Sequence, residues 1–391
     1  VLEDRGVQID RHLLQAHEAE LRERVLGYEQ AAFAAIGHEV NLSSPKQLQE
    51  VLFDELGMPK TRKTQTGYTT DAAALAELQA SNPHPFLDAL LAHRDANKLR
   101  QIVETLIKAV EPDGRIHTTL LQNGASTGRL ASTDPNLQNI PVRSEEGRRI
   151  REGFIHAPEY ETLMTADYSQ IELRIMAHLS GDAGLIEAFR QGEDLHRFVG
   201  SRIFGVPPAE VTSEMRAKVK AMSYGLAYGL SAFGLSKQLN ISAAEARQLM
   251  EDYFERFGGV RDYLRSVVEQ AKRDTYTETI FGRRRPFPDL ASPNRALRAN
   301  AERAALNAPI QGTAADIIKI AMVRIERRMR AAGLESRMLL QIHDELMFEV
   351  VAGEWDALEA IVREEMEGAA ELSVPLEVQV GSGANWNAAA H

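Results

Sequence analysis

Three acidic residues lie where apolar strands of the chain are expected to end. Asp344 and Glu345 interrupt two apolar runs in LLQIHDELMFEV (339–350), and Asp167 follows the apolar run 163–166. A polar turn between two buried strands is a purely structural explanation of the first pair. Alternatively, Asp167 and Asp344 meet at one edge of a sheet, where paired carboxylates repel each other unless a cation lies between them. Oxygen ligands suit Mg²⁺, and two such ions roughly 3.5–4 Å apart can promote in-line phosphoryl displacement.

A second group of side chains recurs at intervals of four residues in RAKVKAMSYGLAYG. It consists of Arg216, Lys220, Tyr224 and Tyr228. On a helix each of them falls about 40° past the last, so they form one slowly turning stripe. The two cations come first, nearest the positive end of the helix dipole, and a glycine follows each tyrosine. An amphipathic helix with a core tyrosine would explain the spacing alone. The functional hypothesis is a nucleotide site in which cations hold a triphosphate and a ring stacks on the base.

Apolar periodicity and turn residues predict the elements that must position these groups. Helices are predicted at 10–35, at 71–110 with an interruption at 81–85, over most of 185–280, at 307–333 and at 355–370. Strands are predicted at 163–166, as a hairpin over 336–351, and at 376–380, with polar loops at 60–70 and 126–141. The sum is an α+β protein with a small antiparallel sheet and much helix.

The bulk composition is typical of a globular protein with two or three packing units. The 391 residues are 44% hydrophobic and 26% charged, and no apolar run is long enough to cross a membrane. The absence of cysteine excludes disulfides and thiol catalysis, and fits a reducing compartment. The chain begins without Met, so we expect it to be part of a longer protein.

The net charge of −11 argues weakly against a nucleic-acid partner, but the charge is unevenly distributed. Residues 283–303 hold six arginines against two acids, whereas 352–377 hold eight acids against one arginine. A local basic surface, rather than the total charge, decides phosphate contact. A merely solvated arginine cluster is the alternative.

The motifs DYSQIELR, RxxxKxxxYGxxYG and HDE, in this order, resemble the three polymerase motifs of the family A DNA polymerases. TGRLASTDPNLQNIP, AERAALNAPIQGTAADIIK and the C-terminal GSGANW are also similar to that family, so the resemblance covers the whole chain. It implies a right-hand fold, with a palm that contains the small antiparallel sheet and with helical fingers and thumb. The corresponding division is thumb with the adjoining palm edge at 1–120, palm at 121–190, fingers at 191–305 and the second part of the palm at 306–391.

The resemblance implies DNA-dependent DNA synthesis, in which dNTPs are added to the 3′-OH of a DNA primer-template by two-metal phosphoryl transfer. It assigns Asp167 and Asp344 as ligands of two Mg²⁺ ions, which Mn²⁺ can replace, and adds Tyr168 to the metal set. The resemblance also implies that Glu345 would support these aspartates and that Lys220 would protonate the departing pyrophosphate. The family expectation is a monomer without membrane association, located in the bacterial cytoplasm at the nucleoid and acting in DNA repair and replication gap filling.

The residues implied around the incoming nucleotide are Gln170, Glu172, His196, Arg216, Lys220, Tyr224 and Tyr228. Glu172 would crowd the 2′ position of the sugar and so exclude ribonucleotides. For His196 alone, a satisfied structural role is the alternative. Tyr224 departs from the Phe that is commoner in bacterial relatives. Its hydroxyl could replace the hydrogen bond that the nucleotide's own 3′-OH makes, which predicts weak discrimination against dideoxynucleotides.

The implied DNA contacts are Arg129, Gln138, Asn139, Arg283, Arg284, Arg303, Asn307, Gln311 and His343. Of these, Arg129, Asn307 and Gln311 resemble minor-groove readers, which probe acceptors that every correct base pair offers in nearly the same places. The other arginines would hold phosphates through a salt-sensitive and sequence-independent attraction. Helix capping and turn chemistry around Pro309 are the structural alternative for Asn307 and Gln311, and His343 is either structural or near the primer end.

Three other functions compete with polymerisation of DNA. A two-metal nuclease also uses paired aspartates, but it needs no helix that binds a triphosphate. A single-subunit RNA polymerase would not need Glu172 as a sugar gate. A DNA-binding module without catalysis would explain the arginine cluster but would leave Asp167 and Asp344 without a purpose.

Overall fold

Two long helices organise the first part of the chain and pack along each other. The computed structural model describes residues 1–142, 144–191, 194–227 and 230–390, except for the side chains at 226 and 227. The first elements are α1 (Leu2–Arg5), β1 (Val7–Ile9), α2 (Arg11–Ile36), α3 (Pro45–Gln49), β2 (Lys63–Thr64), β3 (Gly67–Tyr68), α4 (Ala72–Ser81) and α5 (Pro85–Ala109). Helix α2 begins after Asp10, whose carboxylate accepts a hydrogen bond from the Leu13 amide at 3.0 Å. It ends before Gly37, which takes the left-handed conformation that closes helices.

The chain then alternates short strands and helices as it approaches the central sheet. These elements are β4 (Arg115–Ile116), β5 (Thr119–Leu121), β6 (Ala131–Thr133), α6 (Glu145–Glu152), β7 (Phe154–Ile155), β8 (Thr162–Tyr168), α7 (Ile171–Ser180) and α8 (Ala183–Arg190). The segment 126–141 is predicted to be irregular, but it contains β6, which forms because it pairs with β5. It also contains a 3₁₀ turn at Leu137–Asn139. The segment 60–70, also predicted as a loop, contains the small hairpin β2–β3.

Helices dominate the next part, as the sequence predicts. They are α9 (Leu195–Phe204), α10 (Ser213–Ala227), α11 (Ala232–Leu239), α12 (Ala243–Arg256) and α13 (Gly258–Asp274), followed by the hairpin β9 (Tyr276–Glu278) and β10 (Arg284–Pro286) and by α14 (Arg295–Ala331). The last elements are β11 (Arg337–Ile342), β12 (Glu345–Val350), α15 (Trp355–Glu367), β13 (Val378–Gly383) and α16 (Trp386–Ala389). Among the described residues, no helix combines the length and the apolar character needed to cross a membrane.

The central antiparallel sheet has the strand order β11-β12-β8-β13. Because side chains alternate along β8, Met164 and Ala166 face the largest apolar cluster, whereas Leu163 faces a second cluster on the other side. Both faces of the sheet are therefore covered. The α+β class and the small antiparallel sheet predicted from the sequence are confirmed.

The structure corrects two of the predicted element boundaries. Asp167 lies inside β8 rather than just after it, because its backbone pairs with Glu345 and Gln379 on the two neighbouring strands. The predicted helix after Pro309 instead begins at Arg295 and runs through that proline. A proline inside a helix costs about 3 kcal/mol or more. Here the residues that follow it, from Ile310 onward, are anchored in the main core.

Candidate active site

The two aspartates meet beside a tight turn of the central sheet. The turn joins β11 to β12, and its first residue, His343, takes a left-handed φ of 54°. The Tyr168 amide donates a hydrogen bond to the Asp344 carbonyl at 3.2 Å, and Glu345 is the strand partner of Asp167. The predicted juxtaposition of Asp167 and Asp344 is therefore present.

The charges at this turn are unfavourable without a cation. Burial, and then the charges of Glu345 and Asp344, raise the pKa of Asp167 to about 7. Burial also raises the pKa of Asp344, and the Arg129 guanidinium opposes that shift. A divalent cation would relieve this repulsion, so the aspartate pair fits Mg²⁺.

The protein's own ligands at this turn are few. Within the described ranges, no group of three or more His, Asp or Glu side chains is arranged to hold a metal ion by itself. Magnesium is often bound through one or two carboxylates together with substrate phosphates, so two aspartates suffice for it. Tyr168 could add only its backbone carbonyl, because its buried hydroxyl donates to the Met366 carbonyl at 2.6 Å.

Glu345 is held by the C-terminal helix. The indole Nε1 of Trp386 donates a hydrogen bond to its carboxylate at 2.6 Å, and that ring packs edge-on against Phe154. Burial raises the pKa of Glu345 to about 7, while the Trp386 bond and the charge of Arg151 act in the opposite direction. The sequence interpretation did not include Trp386 or Arg151. The resemblance of GSGANW to the family was the available signal for Trp386.

One cleft collects most of the residues predicted to hold the nucleotide. It has a volume of about 380 Å³ and is lined by Asp167, Gln170, Glu172, His196, Arg216, Lys220, Tyr224 and Asp344, among others. The aspartates come from the sheet, and the cationic residues come from α10. Tyr228, the fourth member of the predicted stripe, lies outside the described residues. The helix predicted for the stripe is present over the part that the structure describes.

The cationic side of the cleft has an acidic partner that the sequence did not reveal. The Arg216 guanidinium pairs with Asp194, Nε to Oδ2, at 2.6 Å, while Lys220 is exposed. Burial lowers the pKa of His196 to about 4, so its imidazole is neutral at neutral pH. Its ring centroid lies 6.0 Å from that of Tyr224.

An arginine bridges the sugar side of the cleft and the aspartate pair. Arg129 Nη2 lies 2.6 Å from Oε1 of the buried Glu172 and 3.8 Å from Oδ1 of Asp344. The predicted minor-groove reader and the predicted sugar gate are thus in direct contact. Their ion pair fixes the Glu172 carboxylate at the wall of the cleft.

The remaining predicted DNA contacts differ in how accessible they are. Asn139, Arg284, Arg303 and His343 are exposed, whereas Asn307 is buried in α14. Oδ1 of Asn307 is itself buried, and no described protein group hydrogen-bonds to it. Gln311 is partly buried one turn further along the same helix.

Two of the predicted DNA contacts donate hydrogen bonds to main-chain carbonyls of the protein. Gln138 Nε2 donates to the Leu130 carbonyl at 2.7 Å. Arg283 Nε donates to Asp316 Oδ1 at 2.7 Å, and its Nη2 donates to the Thr127 carbonyl at 2.8 Å. Nε and Nη2 of Arg283 are therefore bonded to the protein, while its side chain stays 36% exposed.

Comparison with known proteins decides the family. The sequence model of DNA polymerase family A matches residues 11–388. The chain belongs to DNA polymerase family A. This family A chain is 61% identical over 390 residues to DNA polymerase I of Mycobacterium tuberculosis strain H37Rv, covering all of the chain and 43% of that relative. It is 46% identical over 394 residues to DNA polymerase I of Pseudomonas aeruginosa, covering 99% of the chain and 43% of that relative.

A solved structure of the same family also superimposes on the chain. It is the POL domain of Pol1 from M. smegmatis, in complex with DNA primer-template and dNTP, with a TM-score of 0.95 and 61% identity. The match covers all of this chain and 69% of that one. The predicted family and its right-hand polymerase fold are therefore confirmed. The chain spans about 43% of the length of the curated relatives named above.

Proposed function

We propose that this chain is a DNA-directed DNA polymerase that adds dNTPs to the 3′-OH of a primer-template. The observation that carries the proposal is the cleft that joins an aspartate pair to a cationic helix. Asp167 and Asp344 line it from the sheet, and Arg216, Lys220 and Tyr224 line it from α10. A nuclease would require the aspartates but not the cationic helix. Membership of DNA polymerase family A supports the same reaction.

The side chains of this cleft divide the work of phosphoryl transfer. Asp167, Asp344 and the Tyr168 carbonyl would hold two Mg²⁺ ions, or Mn²⁺ in their place. When bound, these ions lower the pKa of the primer hydroxyl and neutralise the leaving pyrophosphate. Arg216 would exchange Asp194 for the triphosphate, and Lys220 would bind it and protonate the pyrophosphate.

The selectivity of the reaction would come from neighbouring residues. The buried Glu172 forms a wall that a 2′-hydroxyl would have to displace, which favours dNTPs over rNTPs. Gln170, His196, Tyr224 and Tyr228 would surround the nucleotide. Arg129, Asn307 and Gln311 would test the minor groove, with Gln138, Asn139, Arg283, Arg284, Arg303 and His343 as further DNA contacts.

We infer the domain division and the setting from the family. The thumb with the adjoining palm edge would comprise 1–120, the palm 121–190 and 306–391, and the fingers 191–305. The chain would act as a monomer in the bacterial cytoplasm at the nucleoid, in DNA repair and replication gap filling. Family membership and the identity to bacterial DNA polymerases I support these assignments.

Extension of a labelled DNA primer on a longer template tests the proposed function. With Mg²⁺ we expect template-directed extension by dNTPs, little extension by rNTPs, and none in excess EDTA. Shortening of the primer would instead identify a nuclease, and extension by rNTPs alone an RNA polymerase. A salt-sensitive gel shift without any change in the primer would leave a DNA-binding module.

Replacing Tyr224 with Phe should restore discrimination against dideoxynucleotides. The wild-type hydroxyl substitutes for the missing 3′-OH of the nucleotide, and losing one such hydrogen bond corresponds to about a tenfold effect. The measurement is the ratio of kcat/KM for dNTP and ddNTP incorporation in both proteins. Tyr263→Phe is a matched control, because Tyr263 lies away from the cleft on α13. Equal ratios in wild type and Tyr224→Phe would show that the hydroxyl has no such role.

A further inference from the structure

The turn between β9 and β10 projects one arginine into a space between two distant segments. Arg283 precedes β10, and its Nε forms an ion pair with Asp316 of α14 at 2.7 Å. Its Nη2 donates to the carbonyl of Thr127 at 2.8 Å and to that of Gly312 at 3.1 Å. Thr279 strengthens this arrangement, because its hydroxyl donates to the other oxygen of Asp316 at 2.7 Å. One guanidinium thus links the loop at 127 to helix α14.

Two glycines make room for this guanidinium. A Cβ at Gly128 would lie 2.4 Å from Cζ of Arg283, and a Cβ at Gly312 would lie 3.0 Å from its Nη2. Gly128 also has a φ of +85°, which disfavours any residue with a side chain. Arg283 therefore connects the loop to the helix. Its guanidinium fits there because neither glycine has a side chain.

Each of these glycines adjoins a residue that is proposed above to contact the minor groove of DNA. Arg129 follows Gly128 and contacts Glu172 and Asp344, while Gln311 precedes Gly312 on α14. A base pair presents its two minor-groove acceptors at a fixed separation, so donors that probe both must be held at a fixed separation too. Arg283 is the described side chain that bonds to both backbone segments.

We propose that Arg283 is a positioning residue that sets the spacing of Arg129 and Gln311, and thereby the selectivity for a correctly paired primer end. This inference rests on the proposed polymerase function. The phosphate contact expected for Arg283 from the sequence is the competing assignment, because the Arg283 side chain is 36% exposed. Three protein acceptors already occupy its Nε and Nη2, and Asp316 is only 12% exposed.

The neighbouring arginine provides the contrast. The Arg284 side chain is 62% exposed, and its partner Glu278 is exposed as well, so a phosphate could displace that pair at little cost. Lysine retains the charge of arginine but cannot form its planar fork of donors. Arg283→Lys therefore separates a charge role from a positioning role.

The test compares Arg283→Lys and Asp316→Asn with wild type, with Arg284→Gln as the phosphate-contact control. The first readout is the salt dependence of primer-template affinity, measured by fluorescence anisotropy. The second readout is the rate of extension from matched and from mismatched primer ends. The same assay also measures how much of that rate is lost when a 3-deazapurine removes the minor-groove acceptor at the primer terminus.

We expect Asp316→Asn to leave the salt slope unchanged, and Arg284→Gln to lower it by about one. Both variants at the Arg283 site should lose about tenfold in matched over mismatched extension and respond less to the 3-deaza substitution. The inference is overturned if Arg283→Lys behaves like wild type and Asp316→Asn keeps the wild-type selectivity for matched primer ends. In that case Asp316→Asn would also bind DNA at least as tightly as wild type. Wild type that extends no primer would instead refute the proposed function. Asp316→Asn removes no positive charge, so its phenotype distinguishes positioning even if Arg283→Lys is unstable.

Discussion

Replacement of Asp344 by Asn is expected to reduce nucleotide incorporation by on the order of 10³-fold or more, because the aspartate pair proposed to hold the Mg²⁺ ions loses one charge. The same change should not harm the fold. Asp344 and Asp167 repel each other, and burial disfavours the ionised form of both. Removing one charge should therefore raise the Tm in EDTA at pH 8, while single-turnover kinetics in Mg²⁺ records the loss of activity.

The sign of this stability effect follows from the pKa shift of Asp167. Its pKa is raised to about 7 in the folded protein, so the folded state binds protons more tightly than the unfolded chain. Stability without metal therefore decreases as the pH rises from about 4 through 7. Asp54→Asn, at an exposed position, is the matched control and should change neither Tm nor activity. An Asp344→Asn variant that retains normal incorporation would exclude Asp344 from the catalytic pair.

Replacement of Glu349 by Gln is expected to destabilise the fold by about 3–5 kcal/mol, the usual cost of breaking a buried ion pair from one side. Glu349 is fully buried on β12. Its carboxylate is 2.7 Å from Arg115 Nη2 and 3.2 Å from Arg337 Nε, and it accepts the Ala157 amide at 2.8 Å. The neutral amide leaves two guanidinium groups without a counter-charge. Urea unfolding followed by circular dichroism measures the loss.

The control for this variant is an ion pair of similar length at the surface. Lys108 lies 2.7 Å from Glu104 on α5, and its side chain is 73% exposed. Lys108→Ala should change the free energy of unfolding by less than about 1 kcal/mol, because solvent screens such pairs. If Glu349→Gln were as mild as Lys108→Ala, the buried network would not contribute to stability as its geometry implies.

Local chemistry in the sequence predicted many of the elements correctly. The apolar runs around HDE predicted the hairpin, and the acids at its turn pointed to the site. Pro309 shows where local signals fail. It predicts a helix start, yet α14 continues through it because apolar residues on both sides of it pack into the interior. That packing depends on elements distant in sequence, and periodicity does not report it.

Partner identity was the part of the site that could not be predicted. An arginine in a basic cluster looks the same in sequence whether it meets a phosphate or, as Arg283 does, a carboxylate and two carbonyls of remote segments. Likewise, alternation along β12 predicts which face Glu349 occupies but not that Arg115 meets it. The contacts to Trp386 and Asp194 were missed for the same reason, since each joins segments that only the tertiary fold brings together.

The strand order of the central sheet also determines when the site can form during synthesis. Strand β8 carries Asp167, and both of its neighbours, β12 and β13, come from the last part of the chain. On the ribosome, the long helices α2 and α5 emerge before β8 and make mostly local contacts, whereas β8 must wait for partners that are translated after the intervening helices. A chain terminated before Val378 has the first aspartate but an unfinished sheet around it. The proposed catalytic pair is therefore completed only after β12 and β13 have joined β8.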